Sequence, residues 1–368
     1  MSKSIYHFFL RLPSILPVLF LTLVLAAYSA NGNSETKTDA NNVSSSRDES
    51  LQTVPFISLR NRTGSDDASE FFGGERGAVS AGYCELSNTS LSSLKTITEK
   101  VPFYIPEDIV SLDTVTESGI EEFWKDLKRS SNGRFLTLYT HGFNIDFEKG
   151  CKRASLFQKS VGLKGSFLLY SWPSNGALLN YTHDEANLYW SVEPLHQVLT
   201  DMVSHYGAGN INITAHSLGT RGILLALVLM SQAEQGSKPL INQMVLIAPD
   251  IDAGVFKQYL PLIKPLVKNI TIYVSANDSP LQLSQQVHGY PRLGQPGAHL
   301  EGLTGVEIID ISDVARRSPT GHIYHLYQNA VIEDLDQLLN QGKLASQRHG
   351  LIQTGEDYWQ LQSLAGKN

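Results

Sequence analysis

The chain has 368 residues, of which 42% are hydrophobic and 18% charged, enough apolar material to bury a substantial core in one α/β domain with extensions. Its formal net charge is −7 and no long block of lysine or arginine occurs, so the composition argues against nucleic acid as a partner. The two cysteines, Cys84 and Cys151, have no metal-site spacing, and neither a metal nor a cofactor is expected.

The first segment differs from the rest. Lys3 and Arg11 precede an uncharged run from Leu12 to Ser34, ending in small residues around Ala27 and Ser29. This is the plan of a secretory signal, and the run is also long enough to cross a bilayer as an uncleaved anchor, although Pro13 and Pro17 weaken a regular helix. Residues 1–30 are therefore expected to be a signal peptide or N-terminal membrane anchor. The protein would then be exported, either periplasmic, secreted or attached to the membrane through this segment. Residues 31–53, rich in Asn, Ser, Thr and acids, read as a disordered polar linker. Export would permit a Cys84–Cys151 disulfide, with two independent buried thiols as the alternative. Sequons occur at Asn42, Asn61, Asn88, Asn180, Asn212 and Asn269, and the last two fall in or beside expected core strands, where a glycan would not fit.

The folded region is expected to run from residue 54 to 340. VPFISLRNR and AVSAGYCEL read as strands, antiparallel at the start of the sheet. After a polar connection, Ile120, Phe123, Trp124 and Leu127 give Glu117–Arg129 a helical pattern. RFLTLY is a buried strand, and His141-Gly142-Phe143-Asn144 turns out of its carboxyl end, where ligands bind in doubly wound sheets. Glycine there lets backbone approach a reacting carbonyl, which makes the N–H of Phe143 a candidate oxyanion donor. His141 reads as a hydrogen-bonder that fixes the loop. Ser166–Tyr170 forms the next strand and delivers SWPSNG. Asp184 and Glu185, adjacent in NYTHDEANLYW, do not face each other on a helix and read as a solvated helix start.

The most informative stretch is NINITAHSLGTRGILLALVLM. Ile211, Ile213 and Ala215 form a strand, Thr220–Met230 a buried helix, and Ser217 stands at the sharp turn between them. Small residues at Ala215 and Gly219 suit a nucleophile elbow, although glycine is usual at the first of these positions. The N–H of Leu218, at the helix start, is the second candidate oxyanion donor. Downstream strands end in PDID and SANDSP. Asp278, after the second of them, is the preferred acid, with Asp250 the alternative and Asp252 a weaker one. Each is also a candidate cap or turn residue. Only a short connection separates these strands, leaving no room for an inserted lid domain. After VEIIDI, the loop carries His322 and His325. His322, following Gly321, is preferred as the base, and His325 lies at the start of an apparent helix. Residues 341–368 read as a polar tail without a role.

Taken together, FISLRNR, FFGGERG, LYTHGFN, LYSWPSNG, TAHSLGT, LIAPDID, YVSANDSPL, PRLG and GHIYHLY, in that order, make the stretch from Val54 to Leu339 resemble a bacterial family of α/β-hydrolases of unknown function, esterase- or lipase-like in character. One departure is Leu59-Arg60-Asn61-Arg62, where the family tends to have Ala-Thr-Asn-Arg. The resemblance implies an α/β-hydrolase fold, a doubly wound and mostly parallel sheet with N-terminal antiparallel strands. It also implies a Ser217, Asp278, His322 triad. The function expected is hydrolysis of a carboxylic ester, on a small-molecule or lipid-like acyl ester, by way of an acyl-enzyme. Alternatives are acyl transfer, thioester or amide cleavage with the same triad, and a catalytically silent binding protein on a hydrolase fold.

Overall fold

The computed structural model describes residues 52–88, 106–130, 135–175, 180–233, 238–314 and 320–362. The N-terminal segment expected as signal or anchor, and nearly all of the polar linker, lie outside these residues. Among the described residues no helix is long and apolar enough to cross a membrane.

In chain order the elements are β1 (Gln52–Arg62), β2 (Phe72–Asn88), β3 (Val110–Ser118), α1 (Ile120–Arg129), β4 (Leu136–Thr140), α2 (Phe147–Val161) and β5 (Ser166–Ser171). Next come α3 (Tyr181–Trp190), α4 (Val192–Tyr206), β6 (Ile211–His216), α5 (Gly219–Ala233), β7 (Ile241–Ile247), α6 (Ala253–Ile263) and β8 (Val267–Val274). The chain closes with α7 (Ser279–His288), β9 (Glu307–Asp310), α8 (Asn329–Leu339), β10 (Leu351–Gly355) and β11 (Tyr358–Leu361).

The strands form one sheet in the order β10-β11-β9-β8-β7-β6-β4-β5-β1-β2-β3. From β9 to β1 every neighbour is parallel, and β1, β2 and β3 make an antiparallel meander at one edge. This is the mostly parallel α/β sheet with antiparallel leading strands expected from the sequence. Two elements are additions. The polar connection before α1 contains β3, whose outward residues are polar and whose inward Val110 and Leu112 are buried, a pattern too sparse to stand out. Beyond residue 340, β10 and β11 form a hairpin that pairs in parallel with β9, so much of the stretch expected as a tail belongs to the sheet. Arg348, fully buried just before the hairpin, anchors it through Asp334 at 2.8 Å and Glu307 at 2.9 Å.

Strands buried on both faces explain the unbroken apolar runs. Leu136, Leu138, Leu168, Tyr170, Met244 and Leu246 pack on the face covered by α1, α4 and α5, while Tyr139, Phe167, Leu169, Val245 and Ile247 pack beneath α2 and α8. Cys84 of β2 and Cys151 of α2 are joined in a disulfide, which settles the choice left open by the sequence. Asn212 is buried and accepts a hydrogen bond from Asn242 at 3.0 Å, in keeping with a sequon that carries no sugar.

Candidate active site

The site forms at the carboxyl ends of the parallel strands. Ser217 follows β6 directly with φ +52°, left-handed for a residue that is not glycine. Such a conformation costs roughly 1–3 kcal/mol and persists only where its surroundings enforce it. Here the Ser217 N–H donates to Ile247 O at 3.0 Å, and its carbonyl accepts from Thr220 Oγ1 at 2.5 Å and Asp250 N at 3.3 Å. Gly219 starts α5 against the next strand's loop, where a Cβ would lie 2.2 Å from His141 O, so any side chain there would force the elbow and the loop apart.

The structure brings Ser217, His322 and Asp278 together. His322 Nε2 lies 2.9 Å from Ser217 Oγ, and Nδ1 lies 2.8 Å and 3.0 Å from the two oxygens of Asp278. A carboxylate only accepts, so Nδ1 carries the proton and Nε2 is the acceptor for the serine hydroxyl. Asp278 is fully buried and also N-caps α7, accepting from Leu281 N at 3.0 Å. The cap position and the contact with His322, weighed as alternatives in the sequence, occur at one residue. Burial pushes its carboxyl up from the ordinary value, while His322 and the Leu281 amide work against that shift.

The other candidates are placed elsewhere. Asp250 is buried in an ionic hub, accepting from Arg292 Nε at 2.7 Å, Arg221 Nη2 at 3.2 Å, Ser284 Oγ at 2.6 Å and Tyr181 OH at 2.9 Å. Burial alone would raise it, but Arg221 and Arg292 outweigh that and hold it at about 2. Asp252 N-caps α6 through Gly254 N and Val255 N. His325 lies in a short 3-10 turn ahead of α8, fully buried, with Nε2 3.3 Å from Tyr139 OH. His141 is the loop-fixing group expected, its ring stacked on Trp172 with centroids 5.0 Å apart. Burial and the adjacent Arg60 drive its pKa well down, so the neutral ring donates from Nδ1 to Gly142 O at 2.9 Å. The Phe143 and Leu218 amides have no hydrogen-bond partner among the described residues.

Three contributors to the site were not anticipated. Asp184, expected as a solvated helix start, is fully buried. It accepts from Asn175 N at 3.2 Å, Asn144 N at 3.4 Å and Ser174 Oγ, and burial raises its pKa. Glu185 is partly covered and pairs with Arg221. His216, beside the serine, donates from Nε2 to His322 O at 3.1 Å. Burial, with His325 and His322 nearby, keeps it neutral. Arg60 of β1 is buried against the 141–145 loop, in the segment that departs from the family pattern. A polar residue flanking a buried strand was the available signal for Arg60 and His216. For Asp184 there was none, because its helix is amphipathic in neither sense. Among the described residues no group of three or more His, Cys, Asp or Glu gathers as a metal would need.

A parallel sheet flanked by helices, a serine at a strained strand-to-helix turn and a histidine–carboxylate pair from later loops define an α/β hydrolase. The particular family follows from comparison. Residues 116–341 match the family described as alpha/beta hydrolase of unknown function (DUF900), and the chain belongs to it. The comparison with curated proteins returned no match. Among solved structures the chain is similar to an esterase of Pyrobaculum calidifontis, at 13% identity and TM-score 0.32 over 56% of this chain and 77% of that one. It is similar to a putative esterase from Staphylococcus aureus, at 12% identity and TM-score 0.34 over 88% and 92% of the two chains. It is also similar to carboxyl esterase 2 of Tuber melanosporum, at 12% identity and TM-score 0.35 over 87% and 98%.

Proposed function

We propose that this hydrolase cleaves a carboxylic ester of a small-molecule or lipid-like substrate through an acyl-enzyme on Ser217. The observation that carries the reading is the relay from Ser217 Oγ through His322 to Asp278, with spacings of 2.9 Å and 2.8 Å. As Oγ attacks the ester carbonyl, His322 Nε2 takes its proton and Asp278 holds the resulting imidazolium. The Phe143 and Leu218 N–H groups donate to the tetrahedral oxyanion, and such a donor is worth on the order of 10²–10³ in rate. Collapse expels the alcohol, which receives its proton from His322 Nε2. Water, deprotonated by the same nitrogen, then releases the acid and frees the serine.

We propose separately that the protein works outside the cytoplasm. The Cys84–Cys151 disulfide supports an oxidising compartment, in line with the signal-like N-terminus.

Labelling of the full chain by a fluorophosphonate tests the chemistry. Wild type is expected to label, Ser217→Ala to lose labelling, and His322→Ala and Asp278→Asn to slow it by on the order of 10³-fold or more. Asp250→Asn slows it far less. Folded wild-type protein that takes no label would overturn the proposal and favour a silent binding protein.

A further inference from the structure

An oxyanion donor is useful only if its backbone is held still before the charge develops. The 141–145 loop carries the Phe143 amide on a short excursion from β4, and Asn144 within it has φ +61°, a conformation that needs support. Two ionisable side chains from distant elements supply that support.

Arg60 reaches the loop from β1. Its Nη2 donates to Ile145 O at 2.7 Å and to His141 Nε2 at 3.3 Å, gripping residues on either side of Phe143. Its Nε donates to Ser171 Oγ at 2.8 Å and its Nη1 to Ser174 O at 2.6 Å, tying the loop to the turn after β5. The side chain is 1% exposed, and among the described residues no carboxylate forms an ion pair with it. Asp184 reaches the same loop from α3. It accepts from Asn144 N directly, and it accepts from Ser174 Oγ, which in turn accepts from Ile145 N at 3.1 Å. Trp172 Nε1 adds a bond to His141 O at 2.9 Å. Hydrogen bonds thus hold groups on both sides of Phe143, and the Phe143 amide itself is left unpaired among the described residues.

Neither buried side chain is explained by stability. A buried cation met only by neutral oxygens and an imidazole is costly to desolvate, and a buried carboxylate held by hydroxyl and amide donors is costly as well. Burial lowers the Arg60 guanidinium to about 10, partly offset by Asp146 and Asp184, so it remains charged at neutral pH.

We infer that Arg60 and Asp184, linked through Ser174, are positioning residues that preorganise the 141–145 loop so that the Phe143 amide faces the oxyanion formed at Ser217. The inference rests on the hydrolase reading above. Its test uses the full chain with p-nitrophenyl acetate as the probe, comparing wild type with Arg60→Lys, Ser174→Ala, Asp184→Asn and Asp184→Ala. Folding is checked by circular dichroism. The expected result is a fall in kcat of about ten- to a hundredfold for Arg60→Lys and Asp184→Ala, with KM within about threefold of wild type. Asp184→Asn, which keeps an acceptor for the Asn144 amide, recovers part of the loss. Hydrogen exchange of peptides spanning 141–145 rises in step with the loss of kcat. If Arg60→Lys does not fold, Ser174→Ala and the Asp184 pair decide the matter by the same split.

Folded variants with wild-type kcat would overturn the inference while leaving the hydrolase reading intact, provided wild-type turnover is lost in Ser217→Ala. Absence of both turnover and fluorophosphonate labelling in wild type would overturn the hydrolase reading, and this inference with it.

Discussion

Gly321 sits immediately before His322 with φ +66°, and a Cβ built there would lie 2.0 Å from Asn277 O. Real Cβ contacts are not found below 3.0 Å, so Gly321→Ala must separate the histidine loop from the 277–278 backbone by at least about 1 Å. His322 moves with that shift while Asp278, capping α7, stays with its helix. Both relay spacings, 2.8 Å to Asp278 and 2.9 Å to Ser217, then open beyond hydrogen-bond length. A misplacement of about 1 Å costs on the order of 10²-fold, so kcat for p-nitrophenyl acetate is expected to fall by about that factor with KM little changed. Alanine in the left-handed region adds a stability loss of about 1–2 kcal/mol. The control is Gly289→Ala, at the α7 C-cap, where φ is +81° and a Cβ meets nothing within 4 Å. It bears the same backbone cost without touching the relay. Equal kcat values in the two variants, measured on folded protein by steady-state kinetics, would refute the claim that contact with Asn277 sets the histidine.

Asp250→Asn leaves Arg221 and Arg292 buried without their shared countercharge, and urea unfolding at pH 7 should show a loss of about 3–5 kcal/mol. Because the folded carboxyl is held at about 2, below its ordinary value, its contribution of about 2 kcal/mol is fully present above pH ~4 and fades as pH falls towards 2. The wild-type advantage should shrink over that window. His325, buried and held neutral chiefly by burial, with Arg153 and His322 adding to the effect, has its pKa depressed well below the ordinary value. The stability it protects is present above the unfolded pKa of ~6.5 and lost as pH falls, so replacing it with Gln should reduce the pH 8 to pH 5 stability difference. Urea titrations at the two pH values check this, and identical differences in the two proteins would count against it. Serine at both Cys84 and Cys151 removes a link spanning 67 residues, and chain entropy alone sets the cost at about 4 kcal/mol, measurable as a lowered Tm.

The parallel strands were legible because burial on both faces leaves long apolar runs, and Ser217 was legible because a polar residue between a strand and a buried helix needs a reason. The approach of Asp278 and His322 followed from chain order. The antiparallel β3 and the hairpin β10–β11 were not legible, since each has one solvated face and few apolar residues to mark the other. Arg60 and Asp184 were missed for a different reason. The loop groups they hold lie 85 residues from Arg60 and 40 from Asp184, and no local pattern reports such partners. Asp184 in particular lies in a helix whose buried residues are Asp184, Asn187 and Leu188, so hydrophobic periodicity points nowhere.

The relay joins side chains far apart along the chain, at sequence separations of 105 for Ser217 and His322 and 44 for Asp278 and His322. A chain still being synthesised holds its nucleophile strand long before it holds a base. On the proposed mechanism reactivity would therefore arrive late, after the loop carrying His322 has been made and packed against Asn277. Under the proposed mechanism, a polypeptide that stops or is clipped ahead of His322 keeps the serine but lacks its proton acceptor, which would make chemical competence a report on completed folding.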